Sequence, residues 1–452
     1  MSTSLYSSPF LDPVAIKSSY KDYTESDLDS MLAEYRAASM KDDTQRQSET
    51  VSESPLVCCA GDRLLPPSLL KQSALYLDAL ILPNPLFRWT RPPRSLDTSM
   101  MEYMGRDWRM DRRESIAGAS EYMLQVRPMV EAGFIRFKPI SLVHEPPDEA
   151  PLLLSEDGFA SLLPDSIRDL IVGQAEVYRV EIEADGHPIL HPVTQPCVRI
   201  GIHFGSGAGG HLHLEQLFDQ RVVRTEDATD GSKRVQLAMK LAEKPLDARG
   251  FESWLAQSVN KAARQEYDEV MKNTLVSMSL GASFITQRAF ETLLLKRIGG
   301  ATGTQDAGCA SLEMQLDLPF LNDVDEVVLM DIRSKLPDAF RDFRAELESR
   351  LAPLRTLEDP AVLRTELNRI SRDLTDRGLS GIQREVAQVS RRMALETAIG
   401  IVGFATSISV GVPPDLAAIG AMLAGVARYQ AFQYSLRRNP LYFLWKVKEG
   451  GR

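Results

Sequence analysis

Residues 201–216 read GIHFGSGAGGHLHLEQ, a glycine-rich loop between two histidine-bearing flanks. Gly205, Gly207 and Gly210 have the spacing at which glycines let a backbone approach a pyrophosphate at a helix N-terminus. Glu226 and Asp227 follow where an acid could hold a ribose hydroxyl. The flanks suggest a second chemistry. All six histidines fall between residues 144 and 213, and His187, His191, His203, His211 and His213 share a 27-residue stretch with Cys197. A register that sets His203 opposite His211 would gather His203, His211 and His213 as ligands for zinc or another divalent metal. The third reading is a hairpin turn whose glycines supply positive φ.

The hairpin is the reading the chain favours. The stretch HLHLEQLFDQ is too short for a crossover helix, and Gly210 is followed by His-Leu where a phosphate loop would carry Lys-Ser or Lys-Thr. The histidine spacing matches no specific ligand signature. The expectation is therefore no resident cofactor, with a divalent metal and a bound nucleotide as alternatives.

A separate stretch, residues 88–113, carries seven arginines against four acids with Trp89, Tyr103 and Trp108 interleaved. Guanidinium groups pair with phosphate and aromatic rings stack on bases, so Arg91, Arg94, Trp108 and Arg109 are candidate nucleic-acid contacts. The competing reading is a helix face of Arg-Asp pairs over buried tryptophans. The chain contains no GxSxG elbow, CxxC pair, HExxH or calcium-binding loop. Asp78, in YLDALIL, reads as a strand-end carboxylate bonded to backbone amides.

The elements that must position these residues follow from composition and period. The 452 residues are 44% hydrophobic, enough to bury sizeable cores. The net charge of -10 gives no global field for nucleic acid. Half of it comes from residues 1–60, which hold ten acidic and five basic side chains and read as a disordered acidic leader with one amphipathic helix, ESDLDSMLAEYRAAS. Residues 61–165 read as a small α/β module, with a buried strand in SALYLDALILPNPLF, a helix stopped by Gly133 and a second strand in FIRFKPI. Residues 166–322 read as a β-rich region with an inserted helix, closed by a strand in SLEMQLDLPFL whose Leu312, Met314, Leu316 and Leu318 alternate. Residues 323–452 read as a helical bundle with an apolar C-terminal hairpin, starting with one long stripe from Ile332 to Leu354. Asp359 and Pro360 mark the N-terminus of the next helix. The fold class is mixed α+β, an N-terminal α/β and β-rich region followed by a long-helix C-terminal bundle.

Residues 397–432 have no charge from Thr397 to Pro414 and none from Leu416 to Ala427. Pro413, Pro414 and Asp415 cut this run into arms too short to span a bilayer, which favours burial in the bundle over membrane insertion. Four cysteines without a spaced framework, and no secretory signal at the N-terminus, point to the cytoplasm. The expected function is non-catalytic interaction or assembly through the helical C-terminal half, with a protein partner or as a homo-oligomer. The alternatives are a metal-dependent enzyme acting on nucleic acid or nucleotides, and a membrane-acting toxin or defence effector.

Overall fold

The apolar run around Leu80 forms a strand buried along its whole length, as its composition predicts. The structure is a computed structural model. It describes residues 5–49, 56–61, 63–91, 108–140, 163–182, 188–205, 212–227, 233–298, 305–357, 359–380, 382, 436 and 439–450. The class is α+β. The chain forms two units: one comprises Met1–His144, Val276–Ile285 and Gly303–Arg452, the other Glu145–Leu275 and Thr286–Thr302.

The first unit is built on a parallel sheet of β1 (Val57–Cys59), β2 (Ala79–Pro83) and β3 (Ile135–Lys138), with the short strand Ser283–Phe284 on the free side of β1. Cys58 pairs with Leu80, and Leu80 with Ile135. Parallel strands need crossovers, and the helices Pro67–Ser73 and Trp108–Glu131 provide them. Both faces of β2 are covered, which is why its sequence is apolar without alternation. Gly133, at φ +78, ends the second crossover helix as expected. Asp78 is a structural carboxylate: it accepts from the Leu56 amide at 3.0 Å and pairs with Arg344 at 2.9 Å.

The acidic leader is folded over its described residues 5–49. Its helix, Glu25–Glu49, belongs to this core, with Leu28, Leu32 and Tyr35 buried together with Phe10 and Tyr20. The Tyr20 hydroxyl donates to the Phe10 carbonyl at 2.6 Å and lies 2.8 Å from the Ser120 hydroxyl; burial pushes its pKa up to about 12. The leader's acids meet arginines of the same chain: Arg112 pairs with Asp29 at 2.6 Å and Arg113 with Glu25 at 2.7 Å. A polar, acidic composition suggests disorder, but a few large side chains at helical spacing suffice to dock a helix once a complementary surface exists.

Two further expectations are corrected. Leu312, Met314, Leu316 and Leu318 are all buried, but they lie at the end of the helix Gln305–Glu313 and in the loop after it. Burial of a loop and a helix end imitates strand alternation over so short a window. The stripe from Ile332 to Leu354 is divided among the helices Glu326–Lys335 and Pro337–Leu351 and the 3-10 turn Ala352–Thr356, the first break falling where Pro337 has no amide hydrogen with which to continue the helix. Asp359 caps the helix Pro360–Arg372 as expected, accepting from the amides of Ala361 and Val362. The C-terminal helix Tyr442–Gly450 buries Phe443 against Phe340 and Phe343, at ring separations of 5.3 and 5.8 Å. Residues 397–432 lie outside the described residues. Among those described, no helix is long and apolar enough to cross a membrane.

The second unit contains an antiparallel sheet of β4 (Ala175–Ile182), β5 (Pro188–Pro192), β6 (Arg199–Phe204) and β7 (Leu212–Gln216) in the order β5-β4-β6-β7. A separate two-stranded ribbon follows, β8 (Phe218–Asp227) paired with β9 (Lys233–Leu241). The helices Ala248–Ser279, over its residues up to Leu275, and Ala289–Arg297 supply side chains to one face of the sheet.

Candidate functional site

Strands β6 and β7 pair antiparallel across the glycine-rich loop. A dinucleotide cradle requires the chain to leave such glycines into a helix, whose amides face the phosphates; here it enters β7. Of the glycines in the phosphate reading, Gly205 follows the end of β6, and the described chain resumes in β7 with no helix at that point. Gly207, Gly210 and His211 lie outside the described residues. Gly205 has φ +79, and a β-carbon on it would lie 2.8 Å from Cβ of Phe290. Both facts require glycine. Gly205→Ala should lower stability by about 1–3 kcal/mol through backbone strain, with the clash adding to it. Chemical denaturation checks this, and an unchanged midpoint would refute it.

The metal reading depends on register. His203 stands opposite Leu212, and Ile202 opposite His213. This differs by one residue from the pairing that would bring His203 and His211 together, and in a strand a shift of one residue moves a side chain to the other face. His203 and His213 consequently point to opposite faces and cannot share an ion. Among the described residues no group of three or more His, Cys, Asp or Glu could hold a metal. Burial pushes the Cys197 thiol up, away from the thiolate a metal would require.

The structure instead joins His213 to residues the sequence reading missed. His213 Nε2 lies 3.1 Å from Glu266 Oε2. Arg288 places one guanidinium nitrogen 2.5 Å from Oε1 of Glu266 and 2.5 Å from Oε1 of Glu291. The Thr286 hydroxyl donates to the other oxygen of Glu291 at 2.5 Å and accepts from the Arg288 amide at 3.0 Å. Phe204 covers this group edge-on to His213 at 5.6 Å and stacks on Phe290 at 5.9 Å. Glu266 and Glu291 are 0% exposed, His213 6% and Arg288 8%.

The positions follow from local structure. Glu266 lies on the helical stripe of Ala262, Ala263, Val270 and Asn273, all fully buried, and Glu291 follows Arg288 by one helical turn. A charged residue on a stripe of otherwise uncharged buried residues was the sequence signal that could have revealed the cluster. Chemically, a carboxylate aligned on an imidazole resembles an acid-base pair. Here both are closed off from solvent, with Glu266 held between His213 and Arg288, so the arrangement serves as a buried ionic brace.

The candidate nucleic-acid residues that the structure describes lie on two separate elements. Arg91 follows the turn Phe87–Thr90, and Arg94 lies outside the described residues. Trp108 opens the helix Trp108–Glu131, with Arg109 exposed in its first turn. The neighbouring Arg112 and Arg113 are occupied by the acids of the leader.

No protein-family model, curated protein or solved structure matches this chain.

Proposed function

We propose that the chain is a non-catalytic interaction or assembly protein of the cytoplasm, and that the β8–β9 ribbon is its docking arm. The observation that carries this reading is the exposure of the ribbon. Every residue from Asp219 to Thr225 is exposed, including Val222 at 57% and Val223 at 60%, and Leu241 at the other end is 40% exposed. A two-stranded ribbon is marginal in water on its own, and solvent-facing valines add to its cost. A partner that covers the ribbon offsets both.

The proposal moves the interacting surface away from the leader and the described C-terminal helices, whose apolar stripes are used within their own unit. Four free cysteines, three of them buried, accord with a reducing setting. The test compares the full chain with a variant in which residues 218–241 are replaced by a short Gly-Ser linker. In extracts of cells that express it natively, the parent should sediment well above the 50.3 kDa of one chain, and the variant close to single-chain size. If both sediment as single chains, the interaction reading fails.

A further inference from the structure

Glu313 ends the nine-residue helix Gln305–Glu313 of the first unit. Its side chain is fully buried, and neither carboxyl oxygen has a hydrogen-bond partner among the described residues. The helices Pro67–Ser73 and Pro337–Leu351 and the turn Ala352–Thr356 pack against it. Their cations are engaged elsewhere: Lys71 pairs with Glu326 at 3.1 Å, Arg344 with Asp78 at 2.9 Å, Arg350 with Glu346 at 2.6 Å and Arg341 with Asp338 at 3.4 Å. Arg355 donates to the Ala352 carbonyl at 3.3 Å, and the remaining charges on these elements, Asp342 and Glu348, are acids that cannot offset another. Burial alone raises the pKa of Glu313.

The segment that carries this acid depends on what it packs against. Nine residues are too few for a helix to stand alone in water, and Gly308 in its interior weakens it further. Leu312, Met314, Leu316 and Leu318 are all buried. The side-chain amide of Gln72 donates to the Glu313 and Leu316 carbonyls, and Ser371 Oγ accepts from the Asp317 amide at 3.0 Å. Detaching the segment breaks these contacts and hydrates the Glu313 carboxyl; of these changes, hydration of the carboxyl depends on pH. A detached Glu313 ionises above its ordinary value of 4.5, while the docked one keeps its proton. Docking is therefore fully stable below that value and weakens as pH rises, until the docked group ionises as well. By contrast, β1, β2 and β3 contain no acid.

We propose that Glu313 makes residues 305–318 a pH-sensitive clip, which detaches locally from the first unit as pH rises while the parallel sheet stays folded. Detachment uncovers Leu312, Met314, Leu316 and Leu318 together, so that alkaline pH makes an apolar segment available. The clip is independent of the ribbon and of its role as a docking arm.

Hydrogen exchange of the full chain between pH 5 and 9, followed by mass spectrometry and corrected for the intrinsic pH dependence of amide exchange, measures how often each segment opens. Opening of 305–318 should rise about tenfold per pH unit over part of that range, the ratio expected for one proton released on opening. At every pH it should also exceed the opening of β1, β2 and β3 by at least about tenfold, because local openings need less free energy than global unfolding. Glu313→Gln should leave the opening of 305–318 independent of pH. A flat parent profile for 305–318 overturns the proposal, as does a rise that Glu313→Gln retains. Equal opening of 305–318 and the three strands overturns it too, since the segment would then open only when the whole unit unfolds. If the variant does not fold, the slope for 305–318 and its excess over the strands in the parent decide the outcome.

Discussion

Arg288→Met should destabilise the unit that contains it by about 3–5 kcal/mol, the range for removing one partner of a buried ion pair. The guanidinium lies 2.5 Å from carboxylate oxygens of both Glu266 and Glu291, and neither glutamate is exposed. Methionine fills much of the same volume, so the loss is electrostatic: two buried carboxylates remain, with the His213 imidazole and the Thr286 hydroxyl as their nearest aids. Chemical denaturation followed by circular dichroism measures the loss. Combining Arg288→Met with Glu266→Leu and Glu291→Leu should restore most of it, because an apolar replacement of a whole buried ionic group is often neutral or better. A single variant within about 1 kcal/mol of the parent would show that the cluster is not a brace.

Glu313→Gln should stabilise the protein increasingly as pH rises. Glu313 is fully buried, neither carboxyl oxygen has a hydrogen-bond partner among the described residues, and burial raises its pKa well above the ordinary value of 4.5. Between that value and its raised folded pKa the native chain holds a proton that the unfolded chain has released. Stability is therefore fully present below the unfolded value and declines by up to about 1.4 kcal/mol for each pH unit above it, until the folded group itself ionises. Glutamine has nearly the same shape and no proton to lose. Thermal midpoints of the two proteins should run parallel below pH 4.5 and diverge above it, with the variant higher. A constant offset across pH 4 to 8 would mean that Glu313 does not enter the folded core as a neutral acid.

The stretches the sequence reading identified correctly are those governed by their neighbours in the chain. Strand β2 follows from a short apolar run bounded by prolines, the helix stop at Gly133 from a left-handed residue, and the start at Pro360 from an aspartate that reaches its own amides. The helix inserted in the β-rich region, Ala248–Ser279, follows from helical spacing. In the glycine-rich loop, the hairpin could be favoured on length alone, since too few residues followed for a crossover helix.

What the sequence by itself determined was thus the local geometry: where helices and strands begin and stop, and that the class is α+β. The tertiary structure alone decided which surfaces those elements meet. The leader's acids looked solvated until Arg112 and Arg113 were placed beside them, and the face that each histidine meets was set by the register that puts His203 and His213 on opposite sides of the sheet. Glu266 gains its role from Arg288 and His213, residues distant along the chain. The physical reason is range. Dihedral preference, capping and apolar period act over a few residues and can be read in order, whereas desolvation and ion pairing depend on which distant groups share a burial site, and a shift of one residue in register reverses the outcome.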